Sequence, residues 1–94
     1  MSTTRILKYP VLGNGEITSI TCRKHRLLDI QPQGNTLMCW IETRDDLPES
    51  TTKLVSFGTG WDLPCEILSN ADYFKTAQDI YGYVWHFYEL TIQH

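Results

Sequence analysis

The run Tyr83-Val84-Trp85-His86-Phe87-Tyr88-Glu89-Leu90-Thr91-Ile92 restricts the fold more than any other part of the chain. Side chains alternate across an extended strand. Tyr83, Trp85 and Phe87 therefore point one way, and Val84, His86, Tyr88 and Leu90 the other. Both faces are apolar, which is the pattern of a strand covered on both sides. Five of the protein's eleven aromatic residues fall between Tyr81 and Tyr88. One face fills a core, and a small domain does not leave the other wet. Either a short helix or another subunit covers it. A chain of 94 residues buries only about two-thirds of its unfolded surface, which favours a subunit and therefore a homo-oligomer.

The rest of the chain reads as strand after strand, with no repeat, low-complexity tract or linker, so residues 1–94 form a single domain. Arg5–Val11 carries Leu7, Tyr9 and Val11 on one face, and Pro10, which has no N–H for a ladder, marks an edge strand. Gly13-Asn14-Gly15 is a turn, and Glu16–Cys22 is rich in β-branched residues. Leu27–Gln31 and Thr36–Thr43 form a hairpin around Pro32-Gln33-Gly34-Asn35. Leu37, Cys39 and Ile41 share one face of the second arm, Met38 and Trp40 the other, as in a central strand. Lys53–Phe57 is a short strand ending at Gly58. Residues 62–70 hold the one short helix, with Asp62 as its cap and Pro64 in its first turn. Tyr73–Ile80 and Tyr83–Ile92 close the chain as a hairpin. The fold class is mainly β, or α+β if the helix is given weight: an antiparallel sheet of about six strands with one short helix near residues 62–70.

Charge and cysteine content narrow the functions. The net charge is −3 with a pI near 5.4, so a generic nucleic-acid binder is disfavoured. Residues 1–27 carry five cations against Glu16, whereas residues 28–94 carry three against ten acids. The basic run Arg23-Lys24-His25-Arg26 is a solvated turn between strands or a local anion site. Cys22, Cys39 and Cys65 lack the count and spacing of a disulfide framework or zinc site, and reduced thiols suit a cytoplasmic setting. No apolar run approaches the roughly 18–20 residues of a membrane-spanning helix, and the N-terminus lacks a signal-peptide pattern.

No nucleophile, triad, metal cluster or cofactor motif emerges, so no residue is expected to be catalytic, to bind a metal or to hold a cofactor. His86 reads as a hydrogen-bonded structural histidine, with a small hydrolase using it as the third-ranked reading; His94 is terminal. Gly58-Thr59-Gly60-Trp61 is the sharpest local feature. It is neither a P-loop nor a dinucleotide fingerprint. Its glycines mark a tight turn, or backbone amides turned toward a ligand. Aromatic faces stack on planar ligands, and arginine supplies forked donors for anions. The candidate ligand-binding residues are Gly58, Thr59, Gly60, Trp61, Trp85, Arg23, Arg26 and His86.

The order Ile6-Leu7-Lys8-Tyr9-Pro10, Ile30-Gln31-Pro32-Gln33-Gly34, Cys39-Trp40, Phe57-Gly58-Thr59-Gly60 and Val84-Trp85-His86-Phe87-Tyr88-Glu89 resembles a family of small uncharacterised proteins of bacteriophages and prophages. Members of that family usually carry His directly after G-T-G, where this chain has Trp61. The resemblance implies a phage accessory protein in the cytoplasm of an infected bacterium, with no established activity. Two expectations follow by analogy. The first is a counter-defence protein that sequesters a small anionic, nucleotide-like signal. The second is an inhibitor that docks directly on a host defence protein or enzyme.

Overall fold

The computed structural model describes residues 2–91. Seven strands and one helical turn follow in order: β1 (Thr4–Pro10), β2 (Ile17–Cys22), β3 (Lys24–Gln33), β4 (Thr36–Arg44), β5 (Ser50–Gly58), α1 (Cys65–Leu68), β6 (Ala71–Gln78) and β7 (Val84–Leu90). The mainly β, antiparallel class stands. The strands divide into two sheets rather than one, ordered β1-β4-β3 and β2-β5-β7-β6. Alternation within a strand says which residues share a face, not which strand lies beside it, so this partition is invisible in the local pattern.

Pairing is antiparallel throughout. β4 is the centre of its sheet, as its two apolar faces require, and β1 with Pro10 is an edge. β3 is the opposite edge, where Pro32 removes no ladder donor that the sheet needs. The β3–β4 turn is two residues long, with Gly34 at φ +62° in its first central position, a backbone region that glycine enters without strain.

The sheets stack. Ile30, Leu37, Cys39 and Ile41 of one meet Ile20, Cys22, Leu54, Ala77 and Phe87 of the other in a single buried cluster. The Cα envelope is 15 Å thick along its shortest axis, as two layers about 10 Å apart require. Burial raises the Cys39 thiol to about 11, so this side chain stays a neutral apolar filler. Cys65 is exposed, and all three thiols are free.

Two expectations change, the helix cap and the placement of the basic run. The helix is one turn, Cys65–Leu68. Its N-cap is Pro64, without a side-chain capping bond, so Asp62 does not cap it. The basic run is not a turn: only Arg23 lies between β2 and β3, and Lys24, His25 and Arg26 begin β3. β7 ends at Leu90 and Thr91 is outside the strand, whereas Ile92, the expected end of the strand, lies outside the described residues, as does His94. The outer apolar face of the β5–β7 sheet is partly covered from within the chain. Val55 and Phe57 are buried although they stand outside the main core. Ile67 of α1 shares a groove with them.

Candidate functional site

The sequence after β5 is built to divide. Ser56 is fully buried, and Gly58 follows it two positions later on the same inward face. A Cβ on Gly58 would sit 2.6 Å from Nε1 of Trp61, so the missing side chain makes room for the indole. The Trp61 N–H donates to the Gly58 carbonyl at 3.2 Å, and Gly60 takes φ +86° to close the turn. Trp61 thus folds back over the inner end of the sandwich. Thr59 points instead to the outer face, where it meets His86.

Trp61 meets Trp85 edge to face, with ring centroids 5.4 Å apart and planes at 89°. Pairs of this geometry hold their rings by quadrupole attraction beyond simple burial. The Gly13-Asn14-Gly15 loop closes over both rings: a Cβ on Gly15 would meet Trp61 at 2.8 Å, and one on Gly13 would meet Trp85 at 3.1 Å. Buried Ser56 holds this loop. Its hydroxyl donates to the Leu12 carbonyl at 2.9 Å and accepts from the N–H groups of Asn14 and Gly15 at 3.2 and 3.3 Å.

On the other side, Asp79 fixes the β6–β7 hairpin. Its carboxylate accepts from the N–H groups of Tyr81 and Tyr83 at 2.9 and 3.0 Å and from Trp85 Nε1 at 3.0 Å. These bonds, that from the indole first, hold the Asp79 carboxyl below the usual carboxylate range. Tyr83 is thereby set beside the tryptophans. Trp61, Trp85, Tyr83 and Thr59, with the backbone of Gly58 and Gly82, enclose a cleft of about 600 Å³. Its lining contains no Lys or Arg.

His86 stands behind this wall. One ring nitrogen is 2.8 Å from Thr59 Oγ1, and the other is 3.0 Å from Thr76 Oγ1, which is 2.6 Å from the Tyr73 hydroxyl. Thr59 to His86 is within reach for general-base chemistry. The group orienting the imidazole is a hydroxyl rather than the carboxylate of a catalytic triad. The arrangement positions Thr59.

Gly58, Thr59, Gly60, Trp61 and Trp85 therefore converge, and His86 joins them through Thr59. Arg23 and Arg26 do not. Arg26 pairs with Glu42, its Nε 3.2 Å from Oε1, and the neighbouring His25 contacts the same carboxylate at 2.7 Å. Arg23 donates to the Leu47 carbonyl at 2.5 Å. Lys24 turns inward to Glu89. These residues lie near the Thr43 end of β4, whereas Leu37, at its other end, abuts Gly13 beside Trp85. Six residues of strand separate the two, about 20 Å at roughly 3.3 Å per residue.

Sequence reasoning missed Ser56, Asp79 and the loop Gly13–Gly15. The Gly-Asn-Gly turn was visible, but its contact with the tryptophans is a long-range fact. Among the described residues no group of three or more His, Cys, Asp or Glu side chains is placed to hold a metal, and no helix is long and apolar enough to cross a membrane. No curated protein and no solved structure matches the chain. Over residues 2–94 the sequence matches the model of a family described as a domain of unknown function, DUF7352, and the chain belongs to that family.

Proposed function

We propose that the chain is a non-catalytic binding protein that takes the planar, nucleobase-like ring of a small molecule into the cleft that Trp61, Trp85 and Tyr83 line. The perpendicular tryptophan pair at the rim of a 600 Å³ cleft carries this reading. A base stacked on an aromatic side chain contributes about 1–3 kcal/mol, and the Thr59 hydroxyl, held by His86, supplies a polar contact. The lining holds no cation for a phosphate, so the ring supplies the affinity and the anionic part of a nucleotide-like ligand stays toward solvent. The phage accessory and counter-defence setting rests on the sequence resemblance alone. Self-association belongs to the same proposal; Ile17 and Tyr73, exposed on the four-stranded sheet, support it, and sedimentation velocity tests it.

The ligand test is tryptophan fluorescence during titration with purine and pyrimidine nucleosides and their monophosphates. Saturable quenching that Trp61→Ala abolishes and Trp40→Phe leaves intact is expected. Quenching that persists in Trp61→Ala would remove the cleft from the site. A second reading, direct docking on a host protein, is favoured by one observation: Tyr81 and Tyr83 are 77% and 65% exposed on a hairpin fixed by Asp79. Retention of a host protein by the wild type but not by Tyr81→Ala, with no nucleoside bound, would support it.

A further inference from the structure

The second concavity of interest lies at the opposite end of the sandwich and has the opposite chemistry. Arg5, Arg23 and Arg44 come from β1, the β2–β3 junction and β4, and all three line one notch of about 310 Å³. Arg5 is in register with Thr43, whose side chain is buried, so it faces inward on an edge strand. Inward charge on an edge discourages pairing with other chains. That role needs only Arg5; it does not require two more arginines from other segments around the same hollow.

The local bonds leave the notch cationic. Arg44 spends Nε and one terminal nitrogen on Asp46, at 3.1 and 2.6 Å. Arg23 spends one nitrogen on Leu47. The Arg5 side chain has no ion-pair or hydrogen-bond partner among the described residues. One carboxylate, Asp45, also lines the hollow, but it clasps the start of β1: Thr3 N–H donates to Asp45 Oδ1 at 2.8 Å, and Asp45 N–H to the Thr3 carbonyl at 3.1 Å. Guanidinium groups remain charged at any working pH and present forked donors matched to oxyanions.

We infer that the notch formed by Arg5, Arg23 and Arg44 is an oxyanion site of the phosphate class, separate from the tryptophan cleft. The probe is inorganic pyrophosphate, followed through the arginine Nε–Hε NMR signals at constant ionic strength held with chloride, since free salt screens exposed charge. Saturable shifts confined to Arg5, Arg23 and Arg44 are expected. Arg5→Gln, which breaks no bond of the folded chain, should weaken binding about tenfold, the loss expected when a charge-assisted hydrogen bond is removed. Arg26→Gln should leave it within about twofold, because Arg26 lies outside the notch and its exposed pair is of low energetic weight. Shifts that do not saturate, or an equal loss in Arg26→Gln, would overturn the inference. Neither result bears on ring binding at the other end, which the nucleoside titration reads alone.

Discussion

The two ends of the sandwich are lined by different strands, β5 and β7 at one and β1, β2 and β4 at the other, and differ in what their side chains require of one another. At the tryptophan end, rings pack on glycine backbone, and buried or hydrogen-bonded groups, Ser56 and Asp79, fix the surrounding loops. At the arginine end, exposed charges share carboxylates and carbonyls around an open notch. The first arrangement depends on shape: one added methyl group at Gly58 would collide with an indole. The second depends on charge and tolerates local change, because exposed ion pairs contribute little to stability. Preorganised shape suits selection of a flat ring, whereas arginines around an open notch suit capture of an anion.

The largest effect should come from the side chain that serves both ends. Phe87 is 1% exposed in the shared core. Phe87→Ala should destabilise the fold by about 3–5 kcal/mol through lost burial and the cavity left behind. Urea unfolding would measure it, and both sites should fail together. If only one end fails, the sandwich is not one cooperative unit.

A smaller change should separate the ends. Ser56→Ala leaves the Leu12 carbonyl and the N–H groups of Asn14 and Gly15 without their partner. The cost should be about 1–3 kcal/mol. Nucleoside binding should weaken and pyrophosphate binding should not. Equal losses at both ends would show that the loop does not act locally.

Acid should produce the mildest contrast. The folded fold holds the Asp79 carboxyl below its ordinary range. Its contribution is therefore present above the unfolded value, about 3.9, and is lost as pH falls through the lower folded value. Between neutrality and about pH 5 the Trp85 indole N–H signal should stay fixed, and it should move below about pH 4. Trp40, on the other sheet, should not follow that titration. A Trp85 signal that titrates between neutrality and about pH 5 would mean that these bonds do not hold the Asp79 carboxyl below its ordinary range.

Much of the fold was readable from local pattern. The inward set Leu37, Cys39 and Ile41 is the buried set of β4, and Pro10 marks an edge. The convergence of Gly58, Thr59, Trp61 and Trp85 was half legible, because the turn and the aromatic strand each announce themselves. What joins them is not local. Ser56 reaches Leu12, Asn14 and Gly15 across more than forty residues, and no spacing rule reports such a contact. Asp79 reads as an ordinary turn residue until the indole of Trp85 is found on its carboxylate. Arg23 and Arg26 look like one basic patch because they are near neighbours in sequence. The change of strand after Arg23 and the register shift between Lys24 and Arg26 send them to different surfaces. Arg5 and Arg44, which do share a notch with Arg23, lie far from it in the chain.

If ring binding belongs to the tryptophan end alone, the three indole N–H signals report it directly. Trp61 and Trp85 form the cleft, and Trp40 lies in a separate surface hollow on the three-stranded sheet. In a titration with a neutral nucleoside, the Trp61 and Trp85 signals should move together and saturate while Trp40 stays still. Three unmoved signals, or a Trp40 shift as large as the other two, would contradict the account.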